Sequence, residues 1–212
     1  MKSPYKTGYG LKWPSSGIVS DVYRNLEIVP SLTRAIDFGC GLGGHGRFIE
    51  TLGFKEVYYI DSDQNALEQS KRFLMDFPSS AERFHFEALH ECENKQYDLI
   101  VDRSSLQHVE STQLISTLDQ ISLLLSSGDT KEQLSRPGIL VSEWIVTAAK
   151  GSQTRRFPNV TFFEDIKSFL FERFIVVNFS YHLTQQISEN DVSEFKVANL
   201  VLKPRINRSP VK

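Results

Sequence analysis

Ala35-Ile36-Asp37-Phe38-Gly39-Cys40-Gly41-Leu42-Gly43-Gly44-His45-Gly46 is the stretch that decides the fold of this chain. A short apolar run ends in an acid, and five glycines then fall within eight positions. Glycine at that density costs backbone entropy, so a folded chain keeps it where the backbone turns tightly or meets a ligand closely. Arg47-Phe48-Ile49-Glu50-Thr51-Leu52 follows with a helix-like pattern and stops at Gly53. The whole reads as strand, turn and helix, the arrangement that receives a nucleotide at a helix N-terminus.

Gly39-Cys40-Gly41-Leu42-Gly43-Gly44 also satisfies G-x-G-x-x-G, so a dinucleotide is one reading. Asp37 argues against it. A carboxylate at the end of the strand repels a pyrophosphate and suits a cationic ligand, such as one bearing an ammonium group. The 212 residues also leave little room for a separate dehydrogenase substrate domain. Downstream, Glu56-Val57-Tyr58-Tyr59-Ile60-Asp61 is a second β-branched and aromatic run ending in an acid. Asp61 lies 22 residues after Gly39, the spacing at which a carboxylate reaches a ribose and accepts two hydroxyls. The competing role is capping the helix Gln64 to Leu74, for which Asp63 is the better placed residue.

Asp37-Phe38-Gly39-Cys40-Gly41-Leu42-Gly43 resembles the first motif of the class I S-adenosylmethionine-dependent methyltransferases, an acid followed by G-x-G-x-G, and the chain looks like their small-molecule type. The resemblance runs from about Tyr9 to Lys203. It implies an α/β fold: a Rossmann-like, seven-stranded, mostly parallel sheet with helices on both faces and a C-terminal antiparallel hairpin. It implies S-adenosylmethionine contacts from Asp37, Gly39, Cys40, Gly41 and Gly43 in the turn and from Asp61 and Ser62 after the second strand. Glu87 and Ala88, after a third strand at 83–86, stand where the family meets the adenine amino group. The family more often has Asp there, and Glu87 also fits a solvated turn.

Tyr97-Asp98-Leu99-Ile100-Val101-Asp102 resembles the family's fourth strand, and Arg103-Ser104-Ser105-Leu106-Gln107-His108-Val109 the loop after it. Ligands of open α/β sheets bind beyond the carboxyl ends of the strands, so this loop faces the transferred methyl. Arg103 joins the cofactor-side residues, and its guanidinium also suits a carboxylate or phosphate. His108 and Glu143, at the end of a fifth strand over 139–146, are the two candidate proton acceptors for an oxygen or nitrogen nucleophile. Each also reads as a packing or hydrogen-bonding residue. No N-P-P-Y or D-P-P-Y follows the fourth strand, which argues against the nucleic-acid and release-factor substrates that this motif serves.

Ser111 to Ser127 carries apolar residues at helical spacing. Thr161 to Arg173 is a second amphipathic stretch, with Thr161 and Glu164 spaced as a capping box. Phe174–Phe179 and Phe195–Leu202 then follow as two strands with no helix between them, which is how the resembling sheet ends. Residues 1–30 are expected to form a lid segment and first helix, and 31–212 the methyltransferase domain. Tyr9, Lys12 and Trp13 of the lid, and Arg155 and Arg156 of a loop over 147–159, are the candidate acceptor contacts. The alternatives are hydrophobic anchoring for the first group and a solvated basic loop for the second.

Twenty-four basic against 26 acidic residues give a net charge of −2, short of the basic surface that nucleic-acid binding exchanges for counterions. A small-molecule acceptor fits this balance. No apolar run of membrane-spanning length and no signal peptide is read, and neither of the two cysteines, Cys40 and Cys92, has metal-ligand spacing. A cytoplasmic, metal-free protein of undetermined oligomeric state is the expectation. Two other readings stay open at this point: a nicotinamide-dependent oxidoreductase, and a cofactor-fold partner subunit that binds without catalysing.

Overall fold

A computed structural model describes residues 13–75, 84–86, 89–92, 95–126, 136–148, 161, 163–188 and 191–205. Helix α1 (Ser16–Asn25) begins the described chain, capped by Ser15, whose Oγ accepts the Ile18 N–H. The alternating part then runs β1 (Arg34–Phe38), α2 (Gly44–Thr51), β2 (Glu56–Ile60), α3 (Gln64–Met75), β3 (Phe84–Phe86), β4 (Leu99–Arg103), α4 (Ser111–Ser126) and β5 (Ile139–Ala148). Helix α5 (Phe163–Arg173) leads directly into β6 (Phe174–Ser188), which returns as β7 (Asp191–Pro204).

The strands lie in the order β3-β2-β1-β4-β5-β7-β6, and every pairing from β3 to β5 is parallel. Strand β7 enters antiparallel between β5 and β6. The chain therefore travels outward from β1 to β3, then crosses back to the other side of β1 at β4. That reversal opens a crevice beyond the carboxyl ends of β1 and β4, where an open α/β sheet binds its ligand.

Two cores flank the sheet, and strand alternation assigns residues to them. Ile36, Ile100, Leu140 and Trp144 face one side, against Leu114, Leu118, Ile121 and Leu125 of α4 and Phe163, Ile166 and Leu170 of α5. Ala35, Leu99, Val101 and Val141 face the other, against Ile18 and Val22 of α1, Ile49 of α2 and Leu67 and Leu74 of α3. Burial on both faces is why these strands read as near-continuous apolar runs.

Three boundaries differ from the sequence reading. Helix α2 starts at Gly44 rather than Arg47, because the glycines themselves form its first turn. The hairpin is far longer than the apolar runs suggest: β6 continues through the polar residues after Phe179, paired by backbone from Phe174↔Pro204 to Ser188↔Asp191. Helix α5 starts at Phe163, and Thr161 donates its N–H to the Gln107 carbonyl at 2.9 Å. Within the helices, the apolar residues Ile115 and Phe169 are partly exposed.

Candidate active site

The glycine turn is fixed by the chain around it. Cys40 donates its N–H to the Ile60 carbonyl at 2.9 Å, and Gly43 to the Cys40 carbonyl at 2.8 Å. Gly39 has a φ of +66°, and a Cβ there would lie 1.9 Å from Ser105 Oγ. Only glycine lets the turn close this tightly against the loop after β4. At Gly46 a Cβ would lie 2.1 Å from the Tyr59 ring, so the start of α2 sits directly on β2.

Two carboxylates organise the turn. Asp37 is 2% exposed, and its Oδ2 accepts the Gly46 N–H at 2.7 Å. Burial pushes its carboxyl up to about 7; the Gly46 bond opposes this, and the neighbouring acids Asp61 and Asp102 add to it. Asp61 accepts the Gly41 N–H on Oδ2 and the Asp63 N–H on Oδ1, both at 2.9 Å. Each carboxylate oxygen has two lone pairs, so Asp61 keeps acceptor capacity for hydroxyls while bracing the turn. Burial raises its carboxyl above the ordinary value, against the backbone bonds from Asp63, Gly41 and Ser62 that lower it. Asp63 caps α3 by accepting the Asn65 N–H at 2.8 Å, which leaves Asp61 to the turn. Ser62 is exposed, and Cys40 is buried with its thiol pushed well up by burial.

The β4–β5 edge forms the other wall. Asp102 is fully buried: its Oδ1 accepts the Ser105 and Leu106 N–H groups at 2.9 and 3.0 Å, and its Oδ2 accepts the Ser142 hydroxyl at 2.6 Å. Burial raises this carboxyl to about 6 despite the three donors. Asp102 thus folds the loop after β4 and ties it to Ser142 on β5. Ser104 takes a left-handed φ of 58°, held by its N–H and Oγ on the Glu143 carbonyl at 2.9 and 3.2 Å. A non-glycine residue in that region marks strain that the surroundings enforce. Arg103 pairs through Nε with Glu143 Oε1 at 3.2 Å. Glu143 is buried, and its Oε2 lies 3.5 Å from Ser15 Oγ at the α1 N-terminus.

His108 is exposed at the end of a 3-10 turn over Leu106–His108. Trp13 is 70% exposed. Tyr9, Lys12, Glu87, Ala88, Arg155 and Arg156 lie outside the described residues.

Two site-supporting residues carry no sequence signal. His45, at the start of α2, is 6% exposed and accepts the Ser15 N–H on Nε2 at 3.1 Å. Burial, with Arg103 nearby, lowers its imidazole to about 4 and keeps it neutral. Gln107 is fully buried: Nε2 donates to the Ile145 and Thr161 carbonyls at 3.0 Å, and Oε1 accepts the Ile145 N–H at 2.8 Å. It ties the loop after β4 to the end of β5. At the amino ends of β1, β4 and β5, opposite the crevice, an open cavity of about 270 Å³ is lined by Ser31, Arg34 and Arg136, but Asp98 there is already taken by Ser31, Thr33 and Arg34.

The glycine turn thus lies at the carboxyl end of β1, beside the β1–β4 crevice, with Asp61 just after β2 bonded to it. Residues 36–128, from β1 through α4, match the family model described as "Methyltransferase domain". That match, over less than half of the chain, supports S-adenosylmethionine-dependent methyl transfer with S-adenosylmethionine as the cofactor. No curated protein matches the chain. Its fold is shared with TehB from Haemophilus influenzae, at 12% identity and a TM-score of 0.65, over 95% of this chain and 66% of that one. It is also shared with the MccD protein, at 10% identity and 0.66, over 92% and 100%. A third similar structure is the N-methyltransferase NodS from Bradyrhizobium japonicum WM9 in complex with S-adenosylhomocysteine, at 19% identity and 0.56, over 95% and 93%.

Proposed function

We propose that the protein transfers the methyl group of S-adenosylmethionine to an oxygen or nitrogen atom of a small-molecule acceptor, such as a sugar, phosphate ester or carboxylate. The observation that carries this reading is the glycine turn at the β1–β4 reversal, braced by Asp61 on Gly41 and by Asp37 on Gly46. The cofactor supplies an electrophilic methyl carbon, so the chain has mainly to align the acceptor and exclude water.

Asp37 and the backbone of Gly39, Cys40, Gly41 and Gly43 hold the methionine end in this reading. Asp61 and Ser62 hold the ribose, Glu87 and Ala88 the adenine, and Arg103 borders the sulfonium side. The acceptor lies beyond the ends of β4 and β5, covered by the segment that contains Trp13. His108 is the exposed member of the two proton acceptors and takes the nucleophile's proton. Glu143 is engaged by Arg103 and near Ser15, so its part is to hold that wall. The net charge of −2 supports a small molecule over a nucleic acid. The description of NodS as an N-methyltransferase supports nitrogen as one acceptor atom.

An assay of S-adenosylhomocysteine release against panels of sugars, phosphate esters, carboxylic acids, amines, tRNA and DNA tests this. Turnover of one small-molecule class, reduced in His108→Ala, is expected. Turnover of nucleic acid alone would overturn the acceptor class.

A further inference from the structure

Strand β6 is an outer edge of the sheet: it pairs with β7 on one side, and no described strand lies on the other. It runs from Phe174 to Ser188, and from Asn178 onward its pairing with β7 is unbroken. An edge of that length presents a row of unpaired backbone groups, which folded proteins ordinarily blunt with lysine, with proline or by keeping the strand short. The opposite edge follows that rule, since β3 spans only Phe84–Phe86. Strand β6 does not. The stretch Phe174–Ser188 holds no Asp, Glu, Lys, Arg or Pro, in a chain of which 24% is charged. Its one irregularity, between Val176 and Asn178, lies near its start.

The two faces of the strand differ. Phe179 and Tyr181 stand opposite Leu200 and Ala198 of β7, so they share the face that carries the α4 and α5 core, and Leu183 follows them by alternation. Phe179 packs on Phe163 at 5.7 Å and on Tyr181 at 4.5 Å between ring centroids, and the Lys196 ammonium sits 3.8 Å from the centre of the Tyr181 ring. These contacts come from α5, β6 and β7. Tyr181 is still 41% and Leu183 74% exposed. Six of the twelve large apolar side chains exposed among the described residues fall between Ile175 and Leu183, so the exposure is a strip along one strand. Asn178, Ser180 and His182 alternate on the other face.

We infer that β6 is the surface at which two copies of this chain associate, their β6 strands pairing antiparallel so that the two sheets become one. Two features favour a second copy over a different protein. A two-fold axis perpendicular to the sheet makes the two edges antiparallel neighbours and keeps apolar face beside apolar face, so the strand is complementary to itself. Identical strands also set like charges near one another, and this strand carries no acidic side chain, lysine or arginine to repel its copy. Selection of a different partner draws on complementary charge at the contact, which β6 does not offer. In the pair, Phe179, Tyr181 and Leu183 of each copy cover those of the other.

Sedimentation velocity over a concentration series, with hydrogen exchange of the β6 amides, tests this on wild type, Leu183→Lys, Tyr181→Ser and Leu123→Lys. Wild type is expected to sediment as a dimer, with slow exchange at the β6 amides that β7 does not bond. In Leu183→Lys the two-fold axis brings two lysines into one contact, which weakens the dimer about tenfold or more. Tyr181→Ser removes an exposed ring without adding charge and weakens the dimer in the same direction, which keeps the test should the lysine variant not fold. Leu123, exposed on α4, is the control, and its lysine variant dimerises as wild type does.

A dimer as stable in Leu183→Lys and Tyr181→Ser as in wild type would place the contact elsewhere and overturn the inference. A monomeric wild type would overturn it too. Freely exchanging outer amides in that monomer would leave the edge to a strand of another protein, and slow ones would mean that the chain covers the edge itself.

Discussion

Asp37 on β1 accepts the Gly46 N–H at 2.7 Å, so a carboxylate 2% exposed to solvent closes the first turn of the helix that follows the glycine loop. The bond answers one of the N–H groups that a helix start leaves unpaired, and the helix N-terminus favours negative charge there. Desolvation outweighs both, and the carboxyl rises to about 7.

The sign of the resulting pH dependence follows. Between the ordinary carboxyl value of 3.8 and about 7, folded Asp37 holds a proton that the unfolded chain releases. Its contribution to stability is therefore full below the ordinary value and is lost as pH rises through the folded one. Asp102, raised to about 6, adds in the same direction. In Asp37→Asn the decline in melting temperature between pH 4.5 and 8, on the order of that window, becomes shallower than in wild type, as thermal melts across the range will read. An identical slope in the two proteins would contradict the shift. A bound ligand ammonium would pull the Asp37 carboxyl back down, so saturating S-adenosylmethionine also flattens the wild-type slope.

Gly39→Ala places a methyl 1.9 Å from Ser105 Oγ on a backbone with a φ of +66°. The left-handed conformation alone costs roughly 1–2 kcal/mol, and the contact adds to it. Urea unfolding should show a loss of at least that size. The double variant Gly39→Ala/Ser105→Gly recovers the contact part and retains the backbone part. No recovery at all would mean that the clash is relieved by other movements.

Gln107→Leu removes both donors and the acceptor that bind Ile145 and Thr161. The shape is nearly kept, but buried backbone groups at the end of β5 lose their partners. A loss of roughly 2–5 kcal/mol is expected from two or more such groups. Hydrogen exchange should show the Ile145 amide opening preferentially. Uniform loss of protection across the sheet would instead indicate a general packing defect.

The alternating half of the fold is legible because its physics is local. Apolar runs such as Leu99-Ile100-Val101 are buried on both faces, and the glycines announce the turn between β1 and α2. Asp63 capping α3, with Asp61 left to the turn, could be read from position alone. The start of α2 could not, because glycine is a poor helix former and Gly44 and Gly46 are helical through contacts with Asp37 and Tyr59. The hairpin beyond Phe179 is a backbone ladder that no continuous apolar run in the sequence marks. His45 and Gln107 were opaque for a different reason. Their partners lie 30 and 38 residues away, and an isolated polar residue among apolar ones does not reveal what it will meet. For the same reason the sequence offered Arg103 and Glu143 as separate candidates, and the fold joins them.

Calorimetric titration with S-adenosylhomocysteine, beside NAD and an Asp61→Ala control, decides which nucleotide the glycine turn takes. Asp61 both braces Gly41 and retains acceptor sites for hydroxyls, so wild type is expected to bind S-adenosylhomocysteine, weakened at least about tenfold in Asp61→Ala, with no heat from NAD. A well-folded wild type that binds NAD in preference, or an Asp61→Ala variant that binds S-adenosylhomocysteine as well as wild type does, would contradict it.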